Sequence, residues 1–180
     1  MTGEEAYATY VLGYLCAGLE RTSEAEAYLQ QALTLAEAVN DHNMLIRILY
    51  AMGWNYHQAG ASDASFATLR RSLQLARSLG DLRSIAHILC YLGARYLAVK
   101  AYGEARQCQQ ESLALFQSIG VQWGVAQAQF GLLQVAHTEG NREEVKHLSA
   151  LTISLYEQTG AHRKDLAEIR RMVEQAEAAE

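Results

Sequence analysis

LGARYLAVKAYGEARQCQQESLALFQSIG, residues 92–120, decides the fold. A Leu-Gly pair with a tyrosine three residues on (Leu92, Gly93, Tyr96) is followed by small residues at Ala105 and Ser112, and Gly120 closes the segment. Shifted back by 40 residues, the same frame holds Met52, Gly53, Tyr56, Ser65, Ser72 and Gly80. A further shift finds Leu12, Gly13, Ala25, Ala32 and Asn40; a forward one finds Leu132, Leu133, Val145, Thr152 and Gly160. The chain therefore overlays itself four times without a gap, and a fixed period of this length is the mark of stacked supersecondary units.

Each period holds two helices. Leu69, Leu73 and Ala76 fall at i, i+4 and i+7, with Leu75 and Leu79 widening the stripe. No alternating apolar and polar run calls for a strand. Asn40, Gly80, Gly120 and Gly160 stand where a helix needs a left-handed residue to stop, and Asp41 and Asp81 follow as caps. Turns inside the hairpins are marked by Arg21-Thr22-Ser23, Gly60 to Asp63, Lys100 to Gly103, and Gly140-Asn141. The expected helices are 5–19, 22–39, 44–59, 62–79, 84–99, 102–119, 124–139 and 142–159. A ninth, 163–178, carries one narrow apolar stripe (Leu166, Ile169, Val173, Ala176) on a charged body, which suits the last helix of an array.

Composition agrees. Half the residues are hydrophobic, there is no proline, and the net charge of −5 comes with scattered basic residues. That pattern excludes disorder and offers no basic stripe for nucleic acid. No apolar run is long enough for a membrane span, and the acidic start Met1-Thr2-Gly3-Glu4-Glu5 is unlike a signal peptide, so a cytoplasmic protein is expected. Cys16, Cys90 and Cys108 contain no C-x-x-C pair and read as reduced, buried thiols.

Two families build two-helix repeats near this length, the tetratricopeptide and HEAT-like arrays. The glycines inside the first helices, each followed by small residues twelve and nineteen positions on, separate them. Over about residues 6 to 163 the pattern resembles the tetratricopeptide repeat. The family's closing proline and first-helix tryptophan are missing; Thr9, Leu49, Leu89 and Gln129 hold the latter's place. With its longer second helix, the chain looks like the roughly 40-residue subclass seen in sensor arms of bacterial signalling ATPases and transcription regulators. The resemblance implies an all-α, right-handed α-solenoid of four TPR-like helical hairpins plus a C-terminal capping helix. It would be a single superhelical domain over 1–180, with repeats at about 6–43, 44–83, 84–123 and 124–163 and the capping helix at 164–178.

Two faces are expected on the first helices. Leu12, Gly13, Cys16, Met52, Gly53, Tyr56, Leu92, Gly93 and Tyr96 should pack on the second helices. A different stripe runs through Tyr7, Tyr10, Tyr14 and Ala17; Arg47, Tyr50, Trp54 and His57; His87, Cys90, Ala94 and Leu97; and Gln127, Phe130, Gln134 and His137. In the family this stripe lines a concave groove. The candidate partner- or ligand-binding residues are Tyr7, Tyr10, Tyr14, Arg47, Tyr50, Trp54, His57, His87, Phe130 and Gln134. Rigid rings suit contact surfaces, but such a stripe serves equally as packing between neighbouring helices. Its middle positions carry no cation. Family members that take acidic C-terminal peptides use Lys, Arg and Asn there, so an apolar or aromatic-rich segment fits better.

No H-E-x-x-H, G-x-S-x-G or phosphate loop occurs, so neither a catalytic residue, a metal site nor a cofactor is expected. The functional expectation is a non-catalytic scaffold or sensor module with a protein or peptide partner. It would bind neither nucleic acid nor membrane, and would be one segment of a larger bacterial regulatory protein. The alternative is a small-molecule sensor domain using the aromatic groove. Circular dichroism in the far ultraviolet should show helix without strand; substantial β content would overturn the 40-residue frame.

Overall fold

The computed structural model describes residues 3–159 and 163–178. Among them the chain forms nine helices and no strand. These are α1 (Gly3–Gly18), α2 (Thr22–Ala38), α3 (His42–Gln58), α4 (Ser62–Leu79), α5 (Leu82–Ala98), α6 (Tyr102–Ser118), α7 (Gln122–Thr138), α8 (Arg142–Thr159) and α9 (Arg163–Ala178). Packing groups them into two compact units, Met1–Ser84 and Ile85–Glu180. The fold class is all-α, a tandem array of helical hairpins followed by a further helix.

The turns are more regular than the sequence suggests. Glu20, Asn40, Gly60, Gly80, Lys100, Gly120 and Gly140 all have φ between 53° and 76°, one at every twentieth residue. At each, the next N–H donates to the carbonyl five residues before the left-handed residue plus one: Arg21 to Cys16, Asp41 to Ala36, Ala61 to Tyr56 and Asp81 to Ala76, at 2.8–3.1 Å. Ala101 to Tyr96, Val121 to Phe116 and Asn141 to Ala136 repeat the bond at 2.9–3.0 Å. This is the Schellman closure, which satisfies carbonyls that a helix end leaves open. Glu20 and Lys100 do it without glycine or asparagine, so the sequence marks the turn there but not its left-handed residue. Gly160, the corresponding expected stop, lies outside the described residues.

Besides α1, which begins at Gly3, three helices begin two residues earlier than expected, at His42, Leu82 and Gln122. The caps explain the first two. Asp41 Oδ1 accepts from the Met44 N–H at 2.9 Å and Asp81 Oδ1 from that of Ser84 at 3.1 Å, so helix starts directly after each. Asn141 does the same for α8, accepting from the Glu144 N–H at 3.2 Å while its own amide donates to the Glu144 carboxylate at 3.0 Å.

Inside a hairpin, contact distance is set by missing side chains. A Cβ on Gly13 would fall 2.7 Å from Leu29 Cγ, and one on Gly53 would fall 2.6 Å from Leu69 Cγ. On Gly93 it would fall 2.6 Å from the Gln109 amide nitrogen. Buried serines bridge the same pairs of helices: Ser72 Oγ donates to the Ile46 carbonyl at 2.9 Å, and Ser112 Oγ to that of Ala86 at 2.8 Å. Leu12 departs from its expected place on the second helix. It is 48% exposed, whereas Met52 and Leu92, its counterparts, are buried.

Ala105 is fully buried, and enlarging it to leucine should cost roughly 1–3 kcal/mol by overpacking α6. Gly80→Val should also destabilise, because a β-branched residue resists φ of 66°. Lys100→Gly should instead gain about 1 kcal/mol by relieving the left-handed strain. Urea denaturation of the three variants checks all of this; Gly80→Val melting like the parent would sink the turn assignment.

Candidate partner-binding face

In the first unit the expected stripe becomes a ladder of rings. Tyr7, Tyr10 and Tyr14 rise along one side of α1 at helical spacing, with centroids 6.3 and 6.0 Å apart. Trp54 of α3 continues the row, its centroid 5.3 Å from that of Tyr14. The indole comes from the next hairpin and lies against two small residues: Ala17 is buried against it, and a Cβ on Gly18 would make an ordinary contact with its edge at 3.7 Å. Two side-chain amides hold α3 in this register. Asn55 donates to the Thr22 carbonyl at 2.9 Å and Gln58 to that of Ala17 at 3.0 Å.

The ladder has a wet side and a dry side. Tyr7 is 51% and Tyr14 43% exposed, while Tyr10 packs partly into the core and Trp54 lies on Cys16, Ala17 and Ala25. Burial raises the Tyr10 hydroxyl above its usual range, with Tyr14 adding to the shift and Arg47 opposing it. Arg47 itself is exposed, one turn before Tyr50; Tyr50 and His57 are both half-buried on α3.

In the second unit the expected residues part company. His87 lies edge-on to the buried ring of Phe116, with centroids 5.0 Å apart, and 4.7 Å from Trp123. Trp123 is 44% exposed and was not among the candidates. It lies outside the stripe, at the frame position where the second and third repeats have Asn43 and Arg83. A large ring at a position otherwise polar was the available signal. Phe130 meets Tyr156 edge to face at 6.0 Å inside the core shared by α7, α8 and α9. Gln134 donates to Glu168 of α9 at 3.1 Å, and His137 hydrogen-bonds Gln175 at 2.9 Å. The fourth repeat's stripe is thus taken up largely by α9.

Among the described residues no group of three or more His, Cys, Asp or Glu is placed to hold a metal, and no helix is long and apolar enough to cross a membrane. Burial pushes the Cys90 thiol up to about 12, against a hydrogen bond with Ser112 that works the other way.

A tetratricopeptide-repeat family model matches residues 4–78, which contain the whole ladder. No curated protein sequence matches the chain. Among solved structures, the chain is similar to a Signal Transduction ATPase with Numerous Domains protein with a tetratricopeptide repeat sensor, from Pyrococcus horikoshii. The TM-score is 0.77 at 17% identity, over 97% of this chain and 26% of that one. The chain thus spans about a quarter of that protein's length, and the likeness extends the tetratricopeptide fold beyond the matched repeats.

A thiol titrating near 12 is only about one part in ten thousand thiolate at pH 8. Iodoacetamide should therefore leave Cys90 unmodified in the folded protein and alkylate it in urea, as mass mapping would show. Equal rates in both states would contradict the packing of α5 against α6.

Proposed function

We propose that the chain is a non-catalytic protein-interaction or sensor module, working as one repeat domain within a larger bacterial regulatory protein of the cytoplasm. The ring ladder Tyr7, Tyr10, Tyr14 and Trp54 carries the proposal: four rings in unbroken contact over two hairpins, two of them about half exposed. Rigid amphipathic rings bury large area at little entropic cost. The family of residues 4–78 supports a binding role, and the sensor named in the similar structure suggests where such a module is used.

The ladder favours an extended partner over an enclosed small molecule. It is an open row of rings along a helix, and small-molecule sites are usually concave and mostly enclosed. Arg47 bears on the Tyr10 hydroxyl, but the middle positions of the stripe carry no cation, so an apolar or aromatic-rich segment fits better than an acidic one.

Panning a random peptide library on the chain should enrich aromatic-rich ligands. Their affinity should change less than about threefold between roughly 0.05 and 0.5 M salt, because charge pairing is not the source. Tyr7→Ala with Tyr14→Ala removes the two exposed rings and should weaken binding at least tenfold with little change in melting temperature. Trp54→Ala is a poorer test, since that ring also packs on the core. Ligands that bind the double variant as well as the parent would overturn the proposal.

A further inference from the structure

Helix α1 carries a second apolar face that the ring ladder does not use. From Ala6 to Leu19 the helix has no charged residue, whereas a surface helix ordinarily shows water a polar side. Leu12 is 48% and Leu15 56% exposed, next to exposed Ala8 and half-buried Val11. Patches of this kind mark interaction sites.

The repeat frame says what such a face meets. Forty residues on, α3 has Ile48, Ala51, Met52 and Asn55 at these positions, and all four are buried. Three of them pack into one core with Leu29, Ala32, Leu33 and Ala36 of the preceding hairpin, and Asn55 bonds that hairpin at Thr22. The face that α3 presents to α1 and α2 is therefore the face that α1 presents to solvent. Only its first turn differs: α1 has Glu4 and Glu5 where α3 has the buried pair Met44 and Leu45.

We propose that Ala8, Val11, Leu12 and Leu15 form a docking face for a further helical hairpin of the tetratricopeptide type, seated on α1 as α1 and α2 are seated on α3. The second helix of that hairpin presents an uncharged stripe of small and aliphatic residues. Its last turn carries a basic residue to meet Glu4, since desolvating a carboxylate without a charged partner is costly. A charged peptide finds no partner on this face between Ala6 and Leu19.

The probe is the chain's own second hairpin, which has Arg77 in its last turn. A copy of residues 41–80 joined directly ahead of Met1 keeps the 40-residue frame over the full chain. Hydrogen exchange of amides 8–19 should slow at least tenfold relative to the parent, and the melting temperature should rise by several degrees. Leu12→Glu with Leu15→Glu in the extended chain should abolish both gains, while in the parent the same pair should leave melting unchanged. Exchange within twofold of the parent, or a parent destabilised by the double substitution, would overturn the proposal. So would sedimentation of the parent as a dimer that the double substitution dissociates, because the occupant would then be a second copy.

Discussion

A left-handed residue every twenty positions from Glu20 to Gly140 is the constraint on which the rest depends. The positive φ turns the chain back while the Schellman bond closes the helix behind it, so each helix ends at a fixed residue. Equal spacing then keeps side chains in step: Gly13 meets Leu29 as Gly53 meets Leu69, and Ser72 finds Ile46 as Ser112 finds Ala86. A turn one residue longer would rotate every later helix by about 100° against its neighbour.

Within that frame, identity is relaxed where geometry allows. Gln109 occupies the place of Leu29 and Leu69 and is buried as they are; its amide donates to the Cys90 carbonyl at 3.0 Å. Glycines on both sides make room for it, since a Cβ on Gly93 or on Gly131 would strike the amide group. The third hairpin thus has a polar bond where the first two have aliphatic packing. Arg106 fastens the outer edge of the same unit, reaching Glu144 at 2.6 Å and Glu139 at 2.5 Å.

Most of the architecture was legible because the repeat reports the same decision several times. One ambiguous turn is corrected by its equivalents 40 residues away. What escaped was local: Glu20 and Lys100 take φ above 55° without being glycine, and nothing in their chemistry announces it. The stripe was legible as a pattern but not as a set of roles. Tyr7, Tyr10, Tyr14 and Trp54 join into one row, His87 turns to Phe116 and Trp123, and Phe130 goes into the core beside Tyr156. Spacing along one helix cannot tell these outcomes apart, because the neighbouring helix decides which rings stay wet. Leu12 shows the same limit, matching Met52 in register and differing in what lies against it.

The bonds that define each hairpin join residues close in sequence. The turn closures span five positions, and the buried serine bridges span 12 and 26. Little chain entropy is lost in bringing such partners together. Proteins dominated by short-range contacts fold in microseconds to milliseconds, faster than sheets that must first find distant strands. Each hairpin of this chain can therefore begin to form as it leaves the ribosome, before the residues of the next one have been made.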